Sequence, residues 1–167
     1  VTPGQLDWYN RIAAAAKAAE HIFPDMAAAE AALESGYGSS ALARLDNNFF
    51  GMKQHTHPIH STAMLPTREF KNDMWVEVTG AFVKYDNLEE CFEDRMETLL
   101  RLKDKYPHYA KALAATDPVT YVFQVSQSWS SDPNRAQKCV DIFNEAAAGR
   151  LAATNATVVQ DATAGEH

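Results

Sequence analysis

Apolar residues recur at helical spacing along most of the chain, and the breaks between repeats carry helix-start chemistry. Thr2-Pro3-Gly4-Gln5 has the spacing of a capping box with proline at the first helical position, and Ala-rich sequence to His21 predicts a first helix. Pro24 opens a second, Asp25 to Glu34, stopped by Gly36 and Gly38, which tolerate the left-handed turn of a helix end. Asn87 and Glu90 repeat the capping-box spacing, and Leu88, Cys91, Phe92, Met96, Leu99 and Leu100 then share one face. Asp117-Pro118 and Asp132-Pro133 start two more helices, predicted over 119–129 and 135–148.

The period changes in the middle of the chain. Residues 54–67 are rich in His and Pro without an apolar repeat and read as a loop. Thr67–Lys71, Met74–Thr79 and Ala81–Tyr85 favour strand, and Asn72-Asp73 supplies a turn, so a small hairpin or a three-stranded sheet is expected. Beyond Arg150 the residues are small and polar, which suggests a flexible tail. The reading is one α+β, mainly helical domain over 1–150, followed by a flexible tail over 151–167.

Length and charge narrow the partners. The 167 residues suffice for one core, and no run approaches the roughly 18 apolar residues of a membrane helix, so membrane insertion is not expected. A net charge of −7 repels phosphate backbones, which sets nucleic acid aside. An uncharged polymer held in a shaped groove is compatible with this balance. Cys91 and Cys139 either close a long loop as a disulfide or lie as buried thiols.

Glu34 is the leading candidate for chemistry. It falls in the last turn of a predicted helix, where the negative dipole end disfavours a carboxylate, and it follows the mostly small and apolar stretch Ala27 to Leu33. Both effects raise its pKa and suit it to donate a proton near neutrality. Around it the chain reads Ala29-Glu30-Ala31-Ala32-Leu33-Glu34-Ser35-Gly36-Tyr37-Gly38-Ser39-Ser40-Ala41-Leu42-Ala43, then Asn47-Asn48-Phe49-Phe50-Gly51-Met52-Lys53. Thr67-Arg68-Glu69-Phe70, Phe82-Val83-Lys84-Tyr85-Asp86-Asn87-Leu88-Glu89-Glu90 and Trp129-Ser130-Ser131-Asp132-Pro133-Asn134-Arg135-Ala136 follow in order. Together these segments resemble the glucosaminidase family of flagellar muramidases and autolysins, glycoside hydrolase family 73.

The resemblance implies a lysozyme-like helical lobe, a small β-hairpin lobe and a glycan groove between them. It implies a monomeric hydrolase of peptidoglycan glycan strands, at the cell wall outside the cell or in the periplasm, cutting after N-acetylglucosamine; the alternatives are a muramidase or lytic transglycosylase on the same scaffold, and a wall-binding or flagellar assembly module that does not cut. Glu34 would be the general acid and Glu69 the base or stabiliser, by an inverting, retaining or substrate-assisted route. Tyr37 is expected on the groove floor, Asn48 as a hydrogen-bond partner of Glu34 or substrate, Phe50 beneath the groove, and Tyr85 and Trp129 against sugar. Trp129 stands where the family carries a Tyr, and its indole only donates; Asp132 reads as a helix cap. His55, His57 and His60 are close enough in sequence to share an ion, but no cysteine completes a zinc pattern and glycosidic hydrolysis needs no metal. A solvated loop without metal or cofactor is the expectation.

Overall fold

The structure, a computed structural model, describes residues 1–56 and 58–164. Its architecture is mainly helical α+β. The helices are α1 (Pro3–Ala18), α2 (Pro24–Ser35), α3 (Ala41–Asp46), α4 (Leu88–Leu102), α5 (Pro107–Leu113), α6 (Pro118–Trp129) and α7 (Arg135–Ala164), and β1 (Ser61–Lys71) pairs antiparallel with β2 (Met74–Lys84).

Helix α2 is the hub. It packs against α1, α6 and α7, and Met26, Ala27, Ala28, Ala29 and Ala31 are all fully buried. A helix this poor in side-chain volume lets its neighbours approach closely on every side, so the hub is made of backbone and methyl groups. Larger side chains close the core around it, among them Tyr9, Ile12, Phe92, Leu99, Tyr121 and Val125. The local signals work as the sequence predicts. Thr2 and Gln5 form the reciprocal capping box of α1, and Asp117 caps α6 by accepting from the Thr120 backbone.

The sheet is a single hairpin. Asn72 and Asp73 both take positive φ (51° and 61°), the requirement of the two-residue turn whose twist matches paired strands. β2 runs unbroken through Gly80, where a Cβ would stand 2.8 Å from the Phe82 ring, so glycine lets that ring fold back over the strand. The hairpin is tied to the helical body at its base. Asn48 Nδ2 donates to the carbonyls of Met52 (3.0 Å) and Val83 (2.9 Å), its Oδ1 accepts from Met52 N (3.0 Å), and Asn47 Nδ2 donates to Tyr85 O (3.1 Å). Phe70, Met74 and Trp75 beside the turn are exposed, as is Met64 nearer the base.

Three expectations change. β1 starts at Ser61 rather than Thr67; Pro66 is tolerated because a strand with a single neighbour has half its N–H groups outside the ladder. The short helices α3 and α5 fill stretches to which the periodicity assigns no element. The expected flexible tail is helical through Ala164: nothing after Gly149 breaks α7, and the Thr154 and Thr157 hydroxyls donate back to the carbonyls of Arg150 and Ala153. Residues 151–162 of this extension are exposed.

Candidate active site

The end of α2 places Glu34. Gly36 stops the helix in the left-handed conformation (φ 58°), and the Ser35 hydroxyl donates to Ala31 O (2.6 Å) and accepts from Gly38 N (2.8 Å). At Gly38 (φ 76°) a Cβ would lie 2.5 Å from the indole nitrogen of Trp8, so only glycine lets the chain leave the helix along this path. The Glu34 side chain, 20% exposed, opens on a cavity of about 360 Å³ lined by Leu33, Phe50, Trp129, Ser130, Asp132 and Arg135.

Beneath it lies a buried ionic cluster. Glu30, one helical turn before Glu34 and fully buried, takes Arg95 Nη2 (2.8 Å) and Arg135 Nη2 (2.7 Å) on Oε2 and the Tyr121 hydroxyl (2.7 Å) on Oε1. Arg135 continues to Glu34, donating to Oε1 from Nε (2.9 Å) and Nη2 (2.6 Å), while its Nη1 donates to Ser126 Oγ (2.8 Å). The Arg95 guanidinium is held between the rings of Trp129 (3.9 Å) and Phe50 (4.4 Å). Its Nε and Nη1 have no hydrogen-bond partner, so ring faces replace acceptors there.

The electrostatics separate the carboxylates. Burial opposes charge on Glu30, but Arg95 and Arg135 outweigh it and hold the carboxyl down at about 2. Glu34 goes the other way: burial raises its pKa and prevails over the lowering pull of Arg135 and Arg95. Glu69 lies in β1 opposite Val76, its side chain 36% exposed; Lys71 (3.0 Å) and Lys53 (3.9 Å) are its ion-pair partners. The hydrogen bond and charge of Lys71 hold it below the ordinary carboxylate range. Glu34 thus tends to keep its proton, while Glu69 beside its lysines and Glu30 beside its arginines tend to lose theirs.

Of the residues singled out in the sequence, Glu34, Phe50 and Trp129 share the cavity. Tyr37 does not line it; it meets Trp8 edge-on at 5.7 Å, at the other side of the helix end. Asn48 and Tyr85 do not line it either. Asn48 is buried and spends its amide on the hairpin base, and Tyr85 is buried with its hydroxyl donating to Asp94. Asp132 accepts from Asn134 N (2.9 Å) at the entry to α7 and pairs with Lys138 (2.8 Å).

His60 faces Glu90 (3.8 Å) and the Tyr85 ring, His55 lies near Arg101, and His57 is outside the described residues. Among the described residues no cluster of three His, Cys, Asp or Glu is gathered for a metal ion. Cys91 and Cys139 are buried free thiols, each pushed up to about 12 chiefly by burial. Sequence reasoning missed Glu30, Arg95 and Arg135. The available signal was a lone acidic residue one turn before Glu34 in an otherwise alanine helix, a position that must be buried if the helix is.

Comparison with known proteins places this geometry. The glycoside hydrolase domain of Salmonella typhimurium FlgJ superposes with a TM-score of 0.72 at 22% identity, covering 94% of this chain and 98% of that one. The fold is therefore shared with that domain. Peptidoglycan hydrolase FlgJ of Pseudomonas aeruginosa is 29% identical over 138 residues, 78% of this chain and 34% of that protein. A probable N-acetylmuramidase of Lactococcus lactis is 33% identical over 118 residues, 68% of this chain and 26% of that protein. The chain spans 34% and 26% of the length of these two relatives. Residues 10–148 match the glucosaminidase family, described as mannosyl-glycoprotein endo-beta-N-acetylglucosaminidase, and the chain belongs to that family.

Proposed function

We propose that the chain hydrolyses the β-1,4 bond after N-acetylglucosamine in peptidoglycan, with Glu34 as general acid and Glu69 as base or stabiliser. The observation that carries this reading is Glu34 itself, a carboxyl with raised pKa opening on a cavity walled by Phe50 and Trp129. Aromatic walls suit the apolar faces of a sugar ring, and a protonated carboxyl suits the glycosidic oxygen. Glu34 gives its proton to that oxygen as the C1–O bond breaks. Water then adds to C1, and ionised Glu69 takes the water's proton or balances the positive charge on the sugar.

The substrate is the glycan strand at the wall, outside the cell or in the periplasm, and the enzyme works as a monomer without cofactor. No described helix is long and apolar enough to cross a membrane. The name of the Lactococcus lactis relative favours a second reading, cleavage after N-acetylmuramic acid with the same acid.

Digestion of purified peptidoglycan by wild type, Glu34→Gln and Glu69→Gln tests both readings. New reducing N-acetylglucosamine ends support the first, reducing N-acetylmuramic acid ends the second, and anhydro ends a transglycosylase. Glu34→Gln, folded, is expected to lose about 10³-fold in rate, within the range of a general acid. Full activity in that variant would remove Glu34 from the mechanism.

A further inference from the structure

The proton donor proposed above is held by a neighbour with no assigned role. Both oxygens of a carboxyl are equivalent in water; in this cavity they are not. Every contact of Glu34 with the cluster goes through Oε1, which accepts from Nε and Nη2 of Arg135. Arg135 is itself immobilised, 2% exposed, its remaining donors committed to Glu30 Oε2 and Ser126 Oγ. An oxygen accepting two guanidinium N–H groups is the carbonyl-type oxygen of a carboxylic acid, so the hydroxyl of the acid falls on Oε2, the atom left for the cavity.

We propose that Arg135 is a positioning residue for the glycosidase reaction: it selects Oε2 of Glu34 as the proton-bearing oxygen and steadies the carboxylate left after the proton has gone. The proposal rests on Glu34 being the acid. As the proton passes from Oε2 to the leaving oxygen, negative charge grows on the carboxylate, and the two charged hydrogen bonds on Oε1 strengthen with it. An interaction that tightens as charge develops accelerates the step. Glu30 keeps this from becoming a locked ion pair, because Arg135 divides its charge between two carboxylates while Arg95 supplies a second cation to Glu30.

Other charged and titratable groups face Glu34 from each neighbouring element. Arg95 on α4 also favours the carboxylate, and Glu30 on α2 opposes it. Cys91 on α4 and Cys139 on α7 face it as neutral thiols, and Asp132 shares the cavity. Of these groups, only Arg135 bonds Glu34 directly.

Since Glu34 is active while protonated, its titration sets the alkaline limb of the rate profile. Arg135 favours the ionised form, so removing its charge moves that limb to higher pH. The test is the alkaline limb of kcat/KM for wild type, Arg135→Gln and Arg135→Lys, with the Glu34 carboxyl followed by NMR in chain carrying ¹³C-labelled glutamate. In Arg135→Gln the carboxyl titration and the limb are both expected to move upward, with kcat lower by about 100-fold, the loss typical of one preorganised charge-stabilising donor. Arg135→Lys keeps the charge and loses the fork, so its limb stays near that of wild type while kcat falls.

A folded Arg135→Gln with an unmoved carboxyl titration overturns the proposal. If Arg135→Gln does not fold, Arg135→Lys decides, and wild-type kcat in that variant overturns it. Failure of the underlying reading looks different: Glu34→Gln would stay active while the carboxyl titration still responded to Arg135.

Discussion

The helical body and the hairpin each carry acidic side chains paired with basic ones, yet they solve opposite problems. In the body, Glu30, Arg95 and Arg135 are shut away from water, and each charge persists only because another completes it. Taking one partner from such a set leaves an uncompensated buried charge. At the hairpin, Lys71 and the neighbouring Lys53 are exposed and Glu69 is half-exposed, water reaches each, and their pairing adds little to stability. The first arrangement fixes a carboxyl in space, where burial lifts its pKa against the pull of the arginines; the second keeps one ionised and accessible.

The sharpest way to break this contrast is to remove one cation from the body. Arg95→Met, which keeps much of the stem volume between Phe50 and Trp129, is expected to cost about 3–5 kcal/mol in denaturant unfolding. A loss below 1 kcal/mol would mean that the cluster is no tighter than the hairpin pairs.

The next largest effect is a pH dependence. His21 is buried beside Arg95 and Glu30, its Nδ1 donating to Ile22 O (2.6 Å) and its Nε2 without a partner. Burial first, then Arg95, lower its pKa from 6.5 to about 4. The unfolded chain therefore takes up this proton before the folded one. The stabilisation is complete above pH 6.5 and is lost as pH falls through about 4, amounting to on the order of 3 kcal/mol. Glu30 acts lower on the scale, its contribution being lost as pH falls from 4.5 towards about 2. Unfolding measured at a series of pH values should show the upper slope vanish in His21→Phe with the lower one kept. An unchanged upper slope would assign it to another group.

The smallest effect belongs to the hairpin. Lys71→Ala is expected to change stability by less than about 1 kcal/mol, and the wild-type pair should weaken with salt, as exposed pairs do. A large, salt-independent loss would show that Glu69 and Lys71 form a desolvated pair like those of the body.

What the sequence made legible was local. Thr2 with Gln5, Pro24 with Gly36, Asp117 with Pro118 and Asn72 with Asp73 act on neighbours within a few residues, and each does in the structure what its chemistry requires. Glu34 was legible because its surroundings form a contiguous motif. Asn87 was half legible: its side chain accepts from Glu90 N, but Glu90 reaches back to Asp86 N rather than to Asn87.

The ionic cluster was not legible, since Glu30 meets Arg95 and Arg135 across 65 and 105 residues and no local pattern links them. Asn48 and Tyr85 lie off the cavity for a related reason. A polar group in a family motif can face substrate or tie two loops together, and only the three-dimensional path of the hairpin base decides between these. The helical extension of α7 contradicts an expectation drawn from composition, which reports the lack of a core-facing stripe and says little about whether the backbone coils.

The alanines of α2 have a consequence for how this protein can change over generations. Ala27, Ala28, Ala29, Ala31 and Ala32 each have almost no exposed surface, so nearly any replacement either crowds a neighbouring helix or, as glycine, loosens the helix that ends in Glu34. The segment that presents Glu34 is thereby closed to gradual variation. Arg68, Phe70, Met74 and Trp75 project from the hairpin into open solvent and are free to drift. Variation would accumulate on the arm, while the hub that carries Glu34 stays almost unaltered.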